Sequence, residues 1–195
     1  MYKAKKKLGQ NFLEDKIVLQ EIINSIKPQR EDDFLEIGPG KGSLTELILG
    51  SVNTLNAVEL DRDLILGLKL LGQKEGNLTI YNENILDFKI NEIPKPKNKL
   101  RVIGNLPYNI SSSIMLWSFN NQNKFEDMHY MFQKEFGQRL SSGTRSKSYG
   151  RLSVLTQYMT KVLSLFVVNP ESFKPVPAVE SIFVKLTPIP GRDMN

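Results

Sequence analysis

The passage from an apolar run into a cluster of glycines constrains this chain more than any other feature. Phe34-Leu35-Glu36-Ile37 reads as a strand, Gly38, Gly40 and Gly42 follow at alternate positions, and residues 44–49 read as a helix closed by Gly50. Glycines at that junction let the backbone turn sharply and approach a ligand closely, while the start of the helix presents unpaired N–H groups. In open α/β sheets such turns lie at the carboxyl ends of the strands, where ligands bind near the reversal of strand order. Glu59 ends the next predicted strand, about 20 residues further on, where an acidic side chain can hold ribose hydroxyls.

This pattern suits a dinucleotide or S-adenosylmethionine, and a structural turn without a ligand stays open on the glycines alone. The dinucleotide fingerprint requires a small third residue where Ser43 stands. The spacing G-x-G-x-G, preceded by the acidic Glu36, leans toward S-adenosylmethionine.

The remaining pattern predicts helices over 15–26, 61–71, 111–119, 134–140 and 151–160. Strands are predicted over 34–37, 54–60, 78–81, 100–104, 128–132, 162–168 and 181–186. Alternating strands and helices imply an α/β fold with a mostly parallel sheet covered on both faces. The last two strands have only a proline-rich turn between them, which implies an antiparallel hairpin at one edge.

With no cysteine in the chain, zinc fingers, iron–sulfur clusters and thiol nucleophiles are excluded. No apolar run approaches the roughly 20 residues that span a bilayer, and the basic N-terminus is followed by Leu8-Gly9-Gln10-Asn11 instead of a signal core. The expectation is a cytoplasmic protein that makes no membrane contact. The formal charge of +5 hints at a polyanionic partner. Lys3, Lys5, Lys6 and Lys7 crowd the N-terminus, and Arg139, Arg145, Lys147 and Arg151 sit in or beside a Ser/Gly-rich stretch. From charge alone, a solvated tail and a solvated loop are the plainer reading. The only histidine, His129, lies in a predicted buried strand and reads as core, and no metal-ligating cluster is present.

Asn105-Leu106-Pro107-Tyr108, at the end of the fourth strand, is the most informative tetrapeptide. An exocyclic amine on a base has its lone pair delocalised into the ring and is a poor nucleophile. The Asn105 amide oxygen and a carbonyl of the Leu106–Pro107 unit are suited to accept its two hydrogens and favour a pyramidal nitrogen. Tyr108 is suited to stack on a flipped base. A proline turn with Tyr108 in the core is the equal alternative for this tetrapeptide alone.

The tetrapeptide is one of a series. Leu8-Gly9-Gln10-Asn11-Phe12-Leu13, the glycine loop, Asn105-Leu106-Pro107-Tyr108-Asn109-Ile110-Ser111, Tyr149-Gly150-Arg151-Leu152-Ser153-Val154 and Phe173-Lys174-Pro175-Val176-Pro177-Ala178-Val179-Glu180-Ser181 occur in that order. Together, over residues 5–186, they resemble the ribosomal RNA adenine N6,N6-dimethyltransferases. Leu106 and Pro39 lean toward the bacterial small-subunit (16S) branch, associated with kasugamycin sensitivity, over the large-subunit branch that confers macrolide resistance.

The resemblance implies a Rossmann-like class I methyltransferase sheet of seven strands, S-adenosylmethionine as cofactor, and small-subunit ribosomal RNA or its precursor particle as partner, acted on by a monomer. It implies that Asn11 and Leu13 cover the cofactor, that Gly38 meets its methionine end and that Glu59 holds its ribose, with Gln10, Gly40 and Leu60 also among the cofactor-binding residues. Asn84 and Ile85 would lie at its adenine, and Asn105 would touch both cofactor and target. Leu106, Pro107, Tyr108 and Phe173 would complete the base site, and Lys5, Lys6, Lys7, Arg139, Arg145, Lys147 and Arg151 become phosphate contacts. Asn84 stands where relatives usually carry aspartate, and Ala178 where they usually carry a basic residue. Relatives also have a C-terminal helical domain, so the chain is expected to be one catalytic domain, either excised or naturally short. A non-catalytic assembly factor and a nicotinamide-dependent oxidoreductase are the rival readings. Glu59, Asn105 and Tyr108 speak against the first, Ser43 against the second.

Overall fold

A computed structural model describes residues 2–194. The strands among them are β1 (Phe12–Leu13), β2 (Asp33–Ile37), β3 (Thr54–Val58), β4 (Leu78–Tyr81), β5 (Leu100–Asn105), β6 (Phe125–Gln133), β7 (Thr160–Val168), β8 (Phe173–Lys174) and β9 (Ser181–Pro188). The α-helices are α1 (Lys16–Ile26), α2 (Ser43–Leu49), α3 (Arg62–Glu75), α4 (Ser111–Asn121), α5 (Lys134–Leu140) and α6 (Arg151–Met159).

Seven strands form one sheet in the order β4-β3-β2-β5-β6-β9-β7. The chain winds from β2 outward through β3 to β4, then returns to the other side of β2 for β5 and β6. That reversal opens a crevice above the carboxyl ends of β2, β3 and β5. The predicted hairpin forms, with β9 antiparallel to β7, but β9 lies inside the sheet, also antiparallel to β6, and β7 is the edge.

Apolar side chains explain the layering. All five residues of β2 are buried, and two clusters cover the two faces of the sheet, one around Val102, Tyr130 and Val184, the other around Phe34, Leu55 and Phe183. The helix starts follow capping chemistry: Asp15 accepts from the N–H groups of Ile17 and Val18 ahead of α1, and Asp61 accepts from Asp63 ahead of α3.

Two differences from the sequence reading have clear causes. β6 begins at Phe125, earlier than the predicted 128, because Asp127 is buried there by a bidentate pair with Arg101, at 3.0 Å to each carboxylate oxygen. The two-residue strands β1 and β8 pair antiparallel as a separate small sheet, with Leu13 opposite Phe173, and so tie the N-terminal segment to the F-K-P passage.

Candidate active site

The crevice is a cavity of about 310 Å3 that runs from Glu59 and Leu60 at one end to Asn105 and Tyr108 at the other. The glycine loop forms its floor. Gly38 (φ +66°) faces open space, and a Cβ added there would meet nothing within 4 Å. Gly40 (φ +59°) is required twice over, since a Cβ there would lie 2.9 Å from the Phe12 ring.

Two carboxylates lie in this end of the cavity. Glu59 accepts the Gly40 N–H at 3.0 Å on one oxygen and the Asp61 N–H at 2.8 Å on the other. A carboxylate has about four acceptor sites, so it can still receive two hydroxyls. Burial raises its pKa above the ordinary value. Glu36 accepts from Thr45 Oγ1 at 2.7 Å and is otherwise without a donor among the described residues. Burial pushes its pKa up to about 7, and the nearby Glu59 charge adds to the rise.

At the other end, the tetrapeptide is held so that acceptors are left over. Asn105 donates Nδ2 to the Asn11 carbonyl at 2.8 Å, which leaves Oδ1 for a ligand. The Pro107 carbonyl is taken by Ile110 N and Ser111 Oγ, both at 3.3 Å. No donor among the described residues reaches the Leu106 carbonyl. Tyr108 lines the cavity with its hydroxyl 2.6 Å from Ser181 Oγ, a contact that anchors the tip of the side chain. The sequence reading had no role for Ser181, although it closes the quoted F-x-P-x-P-x-V-x-S passage.

The family model for ribosomal RNA adenine dimethylase matches residues 1–194. The chain belongs to this family. The small subunit ribosomal RNA methyltransferase A of Photobacterium profundum is 44% identical over 187 residues, covering 96% of this chain and 69% of its own length. A crystal structure of a dimethyladenosine transferase from Plasmodium falciparum has a TM-score of 0.82 at 31% identity, covering 91% of this chain and 63% of its own. The 23S rRNA methyltransferase ErmE has a TM-score of 0.78 at 25% identity, covering 95% and 72%. The chain therefore spans about two thirds of the length of these relatives. Its sheet is the Rossmann-like methyltransferase sheet.

The N-terminal segment of residues 2–11 forms a strap at the cavity: residues 7–11 line it, followed by Phe12 and Leu13, while Tyr2 and Lys5 are tied to Asp61. Several of the expected site residues are engaged within the chain itself. Lys5 is not a free phosphate contact: its ammonium lies 2.6 Å from Asp61 and 2.8 Å from Asp63. Gln10 lines the cavity, but its amide is engaged at both ends, donating to Asp61 at 2.8 Å and accepting from Lys5 N at 2.7 Å. Phe173 does not join Tyr108. It is fully buried between sheet and β1, with no exposed face on which a base can stack.

Asn84 faces the cavity beside Ile85, yet its side chain is also turned inward on the chain, accepting from Leu86 N at 3.1 Å and donating to Asp87 at 2.8 Å. One acceptor site on its oxygen remains. Leu60, 51% exposed, and Ile85 present apolar surface on the same stretch of wall. Lys6, Lys7, Arg139, Arg145, Lys147 and Arg151 are exposed, with no acidic partner among the described residues, and all but Lys7 lie outside the cavity. His129 is core, as read, and no group of His, Asp and Glu able to hold a metal exists among the described residues. No helix among the described residues is long and apolar enough to cross a membrane.

Proposed function

We propose that this chain, as a catalytic domain, transfers methyl groups from S-adenosylmethionine to the N6 amines of adjacent adenines in small-subunit (16S) ribosomal RNA. In this reading it acts as a cytoplasmic monomer during small-subunit biogenesis. One observation carries the proposal: a single cavity joins the ribose-type carboxylate Glu59 to the leftover acceptors of Asn105-Leu106-Pro107-Tyr108.

The residues present fit the cofactor. The open space at Gly38 admits the methionine end against bare backbone, Glu59 retains acceptor sites for the ribose, and Leu60 and Ile85 offer apolar faces to a purine. Gln10, Asn11 and Leu13 line the cavity and would cover the cofactor, and Asn84, also in the lining, would face its adenine edge. When bound, the cofactor supplies an electrophilic methyl group on a sulfonium.

The chain's own residues then prepare the amine. Asn105 Oδ1 and the Leu106 carbonyl accept its two hydrogens, which draws the lone pair out of the ring and onto the nitrogen. Tyr108, held by Ser181, stacks on the extruded base. Asparagine is a neutral acceptor, so the proton stays until the nitrogen has become cationic and is then lost to water. Backbone and side-chain acceptors do not depend on the amine's first hydrogen, which permits a second transfer to the same nitrogen. Lys6, Lys7, Arg139, Arg145, Lys147 and Arg151 would hold phosphates and position the RNA.

The test is methyl transfer from labelled S-adenosylmethionine to small subunits lacking the modification, read by nucleoside mass spectrometry, with large-subunit RNA in parallel. Dimethyladenosine only in small-subunit RNA is expected. Product only in large-subunit RNA assigns the other branch, and cofactor binding without product leaves a non-catalytic role. Asn105→Ala is expected to lower turnover by about 100-fold or more, the scale of losing one aimed polar group, with an unchanged melting temperature. Near-normal methylation by that variant refutes the role given to Asn105.

A further inference from the structure

Asp61 was legible in the sequence only as the cap of α3. A helix cap needs one or two donors, and here Asp63 N serves at 3.1 Å. The Asp61 carboxylate, with no exposed side-chain surface, receives three more, all from the strap: Lys5 Nζ at 2.6 Å, Gln10 Nε2 at 2.8 Å and the Tyr2 hydroxyl. The Tyr2 hydroxyl also lies 2.8 Å from Gln10 Oε1, so the strap folds back on itself around the carboxylate. Two residues away, the Asp61 N–H is one of the two groups that fix Glu59.

The far end of the strap is fastened to the base site. Asn11 O receives Asn105 Nδ2, and Gly9 passes so close to Asn109 that a Cβ would lie 2.9 Å from its Oδ1. Between these two ends, no residue from 2 to 11 is buried. The strap's apolar contacts are slight, the Tyr2 ring edge-on against Phe12 at 5.8 Å and a half-buried Leu8, so polar contacts carry most of the hold on it until Phe12 and Leu13.

We propose that Lys5 and Asp61 form a latch that holds the strap closed over the cofactor, and that only the closed strap keeps Asn105 turned with its oxygen toward the target amine. Lys5 is thus a positioning residue for the transfer, acting through the strap, and not an RNA contact. The inference rests on reading the cavity as the S-adenosylmethionine site. It gives the unlatching a place in the reaction: the spent cofactor must leave between one transfer and the next, and the strap lies across its path. Each opening also releases the Asn11 carbonyl from Asn105, so the amine acceptor is set only when the strap is back down.

Lys5→Met keeps the aliphatic stem and removes the charge, while Asp61→Asn keeps the acceptor that caps α3. The probes are S-adenosylmethionine and S-adenosylhomocysteine, with dissociation constants by calorimetry and dissociation rates by stopped flow. Both variants are expected to release either ligand about 5- to 30-fold faster, to raise KM for the cofactor by more than they change kcat, and to show non-additive losses when combined. Raising salt should speed release from the wild type and have little effect on Lys5→Met. Amide hydrogen exchange over residues 3–10 should quicken in Lys5→Met, with the rest of the chain unchanged. RNA affinity should stay within about 2-fold of the wild type. Unchanged cofactor release in Lys5→Met, or a loss of RNA affinity with normal cofactor affinity, overturns the latch while leaving the cofactor reading intact. Failure of the wild type to bind either probe overturns both.

Discussion

Replacing Glu36 by glutamine is expected to make the ligand-free protein more stable at alkaline pH than the wild type, and to have little effect in mild acid. Glu36 is buried beneath the glycine loop, with Thr45 as its one donor among the described residues, and its pKa stands at about 7 against an ordinary value of 4.5. Between those two pH values the native state holds a proton that the unfolded chain has released. Stability from this group is therefore fully present below pH 4.5 and is lost as pH rises through 7. At about 1.4 kcal/mol per pH unit, the loss reaches roughly 3 kcal/mol above pH 8. Glutamine has the shape of the protonated acid, still accepts from Thr45, and carries no charge to desolvate. The assay is urea unfolding of wild type and Glu36→Gln at pH 4.5, 6 and 8.5 without cofactor. The difference between the two should grow by about 3 kcal/mol across the series, with unchanged m-values. Parallel pH profiles refute the reasoning, because they would mean that the Glu36 carboxyl ionises in the native state as easily as in water.

His129 should act in the opposite sense. Its ring is buried with no hydrogen-bond partner on either nitrogen among the described residues, and burial lowers its pKa to about 4, against the opposing pull of Asp127. Below pH 6.5 the unfolded chain takes up a proton that the native state refuses, so stability falls as pH drops from 6.5 toward 4, by up to roughly 3 kcal/mol. His129→Leu should remove that acid sensitivity, and urea unfolding at pH 7 and 4.5 checks it; an unchanged acid slope counts against the assignment. Between about pH 4.5 and 6.5 the Glu36 and His129 slopes oppose each other, so each single variant should expose a slope that the wild type hides. Gly40→Ala combines a positive φ with a Cβ that would lie 2.9 Å from the Phe12 ring, and is expected to cost about 2–3 kcal/mol. Gly38→Ala meets open space and should cost only about 1 kcal/mol of backbone strain, so equal losses by urea unfolding would refute the part given to Phe12.

The fold was legible where side-chain periodicity is strong. The strand–glycine–helix passage at Glu36 to Ser43 and the cap at Asp61 form as read, and the strand read over 54–60 forms over Thr54–Val58 with Glu59 just past its end, because each rests on local backbone chemistry that distant partners do not override. The pairing of β1 with β8 was not legible. Two residues carry no periodicity, and what fixes Phe12 and Leu13 is a ladder to Lys174 and Phe173 more than 150 positions away. β6 was cut short for a related reason: Glu126 and Asp127 look like a solvated start, and only Arg101 on the neighbouring strand makes Asp127 a core residue.

The candidate site divides in the same way. Asn105 ends β5, Glu59 directly follows β3, and Tyr108 opens the turn three residues past β5, so all three lie where the sheet topology puts them. Lys5 and Phe173 could not be judged from their types, because each depends on a partner chosen by the folded chain. A lysine in a basic tail reads as solvated or phosphate-bound until a buried carboxylate is found 2.6 Å away. An aromatic residue near a base site reads as a stacking platform until its ring is found fully buried in the core. Lys5 lies in the strap, and Phe173 lies in β8, which pairs with β1 directly after the strap. That is the part of the site built from long-range polar contacts and a two-residue ladder, where type and spacing carry the least information. The same lack of a buried apolar anchor that hid the strap's attachment from the sequence leaves residues 2–11 held mostly by polar contacts, with Tyr2 edge-on to Phe12 and a half-buried Leu8 beside them. A segment so held can be released by breaking a few bonds while the sheet beneath it stays intact, which is what repeated exchange of a cofactor over a fixed base site requires.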